Sequence, residues 1–463
     1  MRRVGASLAA VAVLQALVGM AGMEGTAAAK PGPPSIARAG HVSGIARPAA
    51  RLDDKGVARP SDTCPTHVRQ TNFRADCAST GFPVNETWMA VVGSSYVAGA
   101  NDYNTYNGNA GFGYYTSGDA KAWTDDGPLD LFPHGGAHAA GDPGVAIDVN
   151  GVVYYSGIYF SYVDCTIGGN ELARFDPASG TWSNYQIADN SDTAFQDKPA
   201  VAVDSEHVFE SWTQYDSCTG AGVTSPIRVA VFPAGPESVP PGVILDVPKS
   251  TYSQGSALAV DGTGGFWIAW EEYPSAEATV GSIWLAHWKG RHGGWGKPRR
   301  ISPNGFHDLP SPLPGFGFRT NSFPAITMAS GHPNVVWCSA DTGVGRTYRW
   351  ADGTLSLVSD SGGDQFFPSV GTQSDGQVAI SWSQTDQPTI TYDQYLSVGG
   401  GVVQKISTGS SHPNQDQYFF GSFIGDYNGM AVVTTDPHPI WTDVRRRDKR
   451  FGGKAQDAMV YAA

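Results

Sequence analysis

The sequence predicts an all-β chain folded as a β-propeller of seven four-stranded antiparallel blades, with six blades as the next reading. Three observations predict it. A hairpin-like stretch, "KPAVAVDSEHVFESWTQYD" at 198–216, recurs in altered form along the chain. A Trp stands at one phase in five of the copies. The composition, with 58 Gly, 31 Pro, 13 Trp, 19 Tyr and 20 Phe in 463 residues and only 16% charged side chains, is that of a turn-rich β protein.

Taken in order, residues 1–29 read as a secretory leader. Arg2 and Arg3 form a positive start, 11–20 (VAVLQALVGM) a short apolar run, and Ala27-Ala28-Ala29 a cleavage site. That run is shorter than the roughly 18 residues a membrane span needs, and no later segment is long and apolar enough. The residues after Arg3 favour ordinary secretion over the twin-Arg route. Residues 30–63 are rich in Pro, Ala, Gly and Arg without periodicity and read as a linker. The propeller then occupies 64–463.

The seven modules are anchored on Met89, Val145, Val201, Leu258, Ile326, Val370 and Met430. Trp212, Trp270, Trp337, Trp382 and Trp441 follow their anchors by 11 or 12 residues, and Ala100 and Ser156 hold that place in the first two modules. Tight-turn sequences such as DVNG, DGTGG and QSDG join the paired runs. A four-stranded meander cannot bury both faces alone, so copies stacked in a ring bury them against each other. The recurring Trp is expected as a wedge between blades. The last module runs out after three strands, so its outer strand is expected from the segment near His67 to Arg74, which closes the ring.

"YYTSGDAKAW" (114–123), with Ser117, Asp119 and Trp123, resembles the Asp-box of the sialidase/BNR-repeat superfamily, although Lys121 stands where a Gly is usual. "FIGDYNGMAVV" through "IWTDVR" (423–445) resembles the last blade of sialidase-like propellers in secreted bacterial proteins, and "FQDKPAVAVD" (195–204) is similar to their blade openings. The resemblance spans about residues 64–463. It implies a propeller and, for activity, an exo-α-sialidase-like glycosidase or a polysaccharide lyase. The Phe/Tyr-Arg-Ile-Pro stretch that begins the sialidase arginine triad is missing; "NFRADC" (72–77) is a poor match. Sialidases also usually carry six blades. A fold of this kind hosts many functions.

In such meanders, the loops entering the first strands and those joining the second to the third reach one axial face. Glu86, Asp142, Asp197, Gln254, Asn321, Asp364 and Asp426 precede the anchors. Asp102, Gln214, Glu272, Gln384 and Asp443 follow the Trp positions. Facing carboxylates raise one another's pKa, which acid catalysis uses. Asp102, Asp197, Glu272, Asp426 and Asp443 are therefore the catalytic candidates. Arg319 and Arg445 could grip a carboxylate bidentately, and Tyr215, Tyr273 and Tyr427 could bind sugar rings. The same oxygen-rich mouth would suit Ca2+, and no other cofactor is assigned. His134 and His138 lie in a Gly- and Pro-rich stretch that cannot set zinc geometry on a helix, and no metal ligands are assigned. Nucleophile-elbow and phosphate-loop motifs are absent.

The formal net charge of -13 argues against a nucleic-acid surface. Of the five cysteines, Cys64 is expected to pair with Cys77 and Cys165 with Cys218, leaving Cys338 as a buried thiol. The reading is a secreted, monomeric propeller that binds or cleaves a carbohydrate at its axial face. The alternative is a non-catalytic extracellular binding or scaffold propeller.

Overall fold

The structure is a computed structural model. It describes residues 62–463 apart from 67–69, 78–81, 106–109, 130–136, 162–163, 218–223, 236–241, 387 and 448–451. The leader, nearly all of the linker, His134 and Cys218 lie outside the described residues.

Seven antiparallel sheets follow one another along the chain, each a meander from an inner to an outer strand. The inner strands are Val84–Val92, His138–Ile147, Phe195–Val203, Ser253–Val260, Ala325–Ala329, Gln365–Thr372 and Gly429–Val433. They define blades 1 to 7. Among the described residues helix is confined to Gly290–Gly293 and one 3-10 turn, and no helix is long and apolar enough to cross a membrane.

The ring closes as the sequence predicts. Blade 7 takes Gly429–Val433, Asp436–Asp443 and Asp457–Tyr461 from the C-terminus and its outer strand, Asn72–Arg74, from the N-terminus, with Phe73 opposite Val460. Asp62–Thr63, within the expected linker, add a fifth strand to blade 1 opposite Thr124 and Asp125. The Cys64–Cys77 disulfide forms between these two segments, and so ties the edge of blade 1 to that of blade 7. Cys338 is a buried free thiol whose pKa burial pushes up to about 12.

The five Trp occupy equivalent places on the second strands, each opposite a residue of the third strand of its own blade. All five are fully buried, and each packs on the preceding blade. Trp212 meets Ala146 and Leu172 of blade 2, and Trp441 meets Tyr392 and Leu396 of blade 6. Blades 1 and 2 lack the Trp, and tyrosines fill the space instead. Tyr115 is buried against Ala458 and Val460 of blade 7, and Tyr155 against Val97 and Phe112 of blade 1.

The "YYTSGDAKAW" residues form the turn between the third and fourth strands of blade 1. Asp119 accepts the N–H groups of Lys121 and Ala122, the Ser117 hydroxyl donates to Ala122 O, and Trp123 is buried beneath, its indole N–H on Ala120 O.

Candidate functional site

The site originates in a repeated backbone irregularity. Three residues before the anchor, the inner strands of blades 1, 2, 3, 4 and 6 carry a β-bulge. The bulged residues Glu86, Asp142, Lys198, Gly255 and Phe367 all take left-handed φ, from 49° to 60°. A bulge leaves one residue out of the ladder and re-aims its side chain. Pro143, Pro199 and Pro368 follow three of them, where no N–H is required by the ladder. For the four residues other than Gly255 this backbone costs about 1–3 kcal/mol each. In blades 1 to 3 it delivers two acids and a lysine to one point near the axis.

Lys198 Nζ lies 2.7 Å from Asp142 Oδ1, 2.7 Å from Asp426 Oδ2 and 3.3 Å from Glu86 Oε1. Asp426, entering blade 7, also receives Arg319 bidentately, through Nε at 2.8 Å and a terminal nitrogen at 2.5 Å. Asn101 donates to Glu86 Oε2 at 2.8 Å and accepts the Asp142 N–H at 3.0 Å. Tyr427 lies under Lys198, 5.7 Å from Nζ to ring centroid, and its hydroxyl donates to Pro143 O. The carboxylates and Lys198 are buried, and the Arg319 side chain keeps 13% exposure.

The carboxyl groups are driven apart in proton affinity. Burial raises Asp197, and the neighbouring Asp142 charge raises it further. Burial also raises Glu86 strongly, against the opposing pull of Lys198. Burial would raise Asp142 too, but the Lys198 ammonium beside it, with the neighbouring acids, holds it below the usual carboxylate range. Burial acts to lower the Lys198 ammonium, and Asp142, Asp426 and Glu86 outweigh it. Lys198 and Arg319 pair with Asp142 and Asp426, while burial drives Asp197 and Glu86 toward the neutral acid. Tyr215 stands by Asp197; burial raises its pKa, and its buried hydroxyl has no hydrogen-bond partner among the described residues.

Two long connections cover this end of the ring. The 308–324 segment carries Arg319, and the 406–428 segment carries Asp426. They meet where Asn414 Nδ2 donates to Gly315 O at 2.8 Å and where Arg319 stacks on Phe423. Beneath the network an axial cavity of about 180 Å³ runs between the inner strands. Lys198, Asp426 and Tyr427 line its charged end, and the anchors Leu258, Ile326, Val370 and Met430 its apolar wall.

Of the residues expected at the site, Asp197, Asp426, Arg319, Tyr215 and Tyr427 converge here. The others do not. Asp443 accepts the Trp441 indole N–H and pairs with Arg445, which reaches Asn72 and Thr408 at the closure seam. Glu272 caps a loop by accepting the N–H groups of Thr251 and Tyr252 and the Ser253 hydroxyl. Asp102 accepts the Asn104 N–H and the Tyr115 hydroxyl. The Tyr273 hydroxyl lies between Glu271 and Asp308, within hydrogen-bonding distance of both. A position two residues past the Trp faces the strand ends, so its polar groups satisfy local donors.

Sequence reasoning passed over Lys198 altogether and did not favour Glu86 or Asp142 among the ring residues. One strict register, three residues before each anchor, contains all three. Where a hard cation would sit among these carboxylates, the structure places the Lys198 ammonium. No group of three or more His, Cys, Asp or Glu side chains is placed to hold a metal among the described residues.

No protein-family model and no curated protein matches the chain. Solved structures of similar fold include an α-L-arabinanase of Penicillium chrysogenum complexed with arabinobiose, 12% identical, with TM-score 0.48, over 73% of this chain and 98% of that one. A PL25 ulvan lyase is 8% identical, with TM-score 0.47, over 82% and 94%. A Trypanosoma rangeli sialidase in complex with sialic acid is 10% identical, with TM-score 0.39, over 69% and 53%. These likenesses concern the propeller fold.

Proposed function

We propose that the chain is a secreted glycan-active propeller that cleaves a saccharide at its axial face, with Asp197 as proton donor. The observation that carries this reading is a buried Asp197 carboxyl and a buried Tyr215 hydroxyl, neither with a hydrogen-bond partner among the described residues, beside a network in which burial raises Asp197 and Lys198 lowers Asp142. Groups whose environments push their pKa values apart are how a site keeps an acid ready at neutral pH. Tyr215 is placed to assist, and Lys198 and Arg319 fix the ionised carboxylates. Substrate entry requires the 308–324 and 406–428 segments to part, because the network lies beneath them. Secretion is supported by the leader-like N-terminus and by the Cys64–Cys77 disulfide.

One observation favours a second reading. A network that is buried and closes its own charge can serve purely to pin the blades together, as a binding or scaffold propeller would need. A substrate screen separates the two. The purified protein is incubated with sialosides, neutral arabinans and acidic polysaccharides, and new reducing ends and unsaturated products are measured. Turnover of at least one glycan that falls about 100-fold or more in Asp197→Asn, in line with loss of a general acid, supports the enzyme. Absence of turnover on every glycan supports the scaffold.

A further inference from the structure

We propose that the groove between blades 1 and 2, at the end of the ring opposite the Lys198 network, is a second binding site, for a neutral saccharide. The inner strand of blade 1 runs from Glu86 at the network to Val92, and the groove begins just past the following turn, at Ser95–Val97. It is a shallow, open groove of about 320 Å³.

Its two walls differ. On blade 1, Val97, Thr116 and Thr124 are direct cross-strand partners, so their side chains share one face. That face looks at blade 2, since Val97 packs with Val145 and Val153. Tyr114, two residues before Thr116, lies on the same face. The hydroxyls of Tyr114, Thr116 and Thr124 make no hydrogen bond within the described protein, so this wall offers three donor-acceptor groups to a ligand. The blade 2 wall is apolar: Phe175, packed against Trp182 at 5.3 Å between ring centroids, stands beside Ile147 and Val153.

An aromatic wall facing a row of hydroxyls matches a sugar ring, which has an apolar C–H face and a polar edge. Among the described residues that line the groove none is charged, although the chain carries a net charge of -13. Buried or half-buried charge is what a site for an anionic sugar would need, so the occupant is neutral. The site is independent of axial catalysis.

Affinity electrophoresis of the full-length protein through gels containing arabinan, xylan, galactan or polygalacturonate tests this. Retardation by at least one neutral polysaccharide is expected. It should weaken about tenfold when Thr116→Ala and Thr124→Ala remove two hydroxyls together, and vanish in the groove-filling Thr116→Arg. Asp197→Asn should leave it unchanged, which keeps this outcome separate from that of the axial site. No retardation by any neutral polysaccharide, stronger retardation by polygalacturonate, or full retardation of both groove variants would overturn the proposal.

Discussion

Lys198 has more consequences than any other single side chain in this molecule. It balances Asp142 and Asp426, and its removal would leave buried carboxylates without a counter-charge. Lys198→Met, which keeps the length of the side chain, should therefore destabilise the fold by about 3–5 kcal/mol, measured by chemical denaturation at neutral pH. Asp197→Asn replaces an acid that burial drives toward its neutral form and should change stability by less than about 1 kcal/mol. Equal losses in the two variants would contradict this charge assignment. Glu210 gives a second test. It is buried between blades 2 and 3, accepts from Asn170 Nδ2 at 3.0 Å, and burial pushes its pKa up to about 8. Its folded pKa lies above its unfolded value near 4.5, so the folded form holds the proton more tightly. Its contribution to stability is therefore greatest at low pH and is lost as pH rises from about 5 to about 8. Glu210→Gln should flatten that decline and melt above the wild type at pH 8; thermal melts across this window check it. At this scale the sequence was partly legible. Asp197 and Asp426 stood out as acids at blade entries. Lys198 did not, because its role depends on a left-handed bulge that turns a strand residue toward the axis, and nothing in the alternation of apolar residues marks such a bulge.

The blades follow from a pattern that the sequence carries openly. Each Trp on a second strand fills the space above the preceding blade, and three of the indole N–H groups have a side-chain acceptor: Gln196 for Trp212, Gln384 for Trp382 and Asp443 for Trp441. Trp382→Ala should cost about 3–5 kcal/mol, and Trp382→Phe clearly less, as read from denaturant midpoints with an unchanged m-value. A loss below about 1 kcal/mol would mean that the wedge is not what joins blades 5 and 6. The five-Trp register was legible because a large aromatic at a fixed phase has few other uses. The stand-ins in blades 1 and 2 were not, because Tyr115 and Tyr155 reach the same space from different strands. The same geometry explains why Glu272 and Asp443 were misleading. They end their strands close to the mouth, yet each is drawn into a local task, capping a loop or holding Trp441 and Arg445.

For the whole molecule, closure is the decisive event. The outer strand Asn72–Arg74 must return to the C-terminal blade, and the Cys64–Cys77 bridge holds the short loop that brings it there. Replacing both cysteines with Ser should lower stability by roughly 2–3 kcal/mol and raise hydrogen exchange first in Asn72–Arg74 and Asp457–Tyr461; uniform exchange around the ring would contradict a seam of this kind. The ring gathers Lys198, Arg319, Asp142, Asp426, Asp197 and Glu86 at its axis, and burial there drives Asp197 and Glu86 toward the neutral acid. Carboxyl-carbon NMR of protein labelled at aspartate, with the Asp197 and Asp142 signals assigned by their loss in the Asn variants, reads this directly. The account predicts that Asp197 remains protonated at neutral pH while Asp142 is ionised well below it. An Asp197 signal that titrates in the ordinary aspartate range, near pH 4, would contradict it.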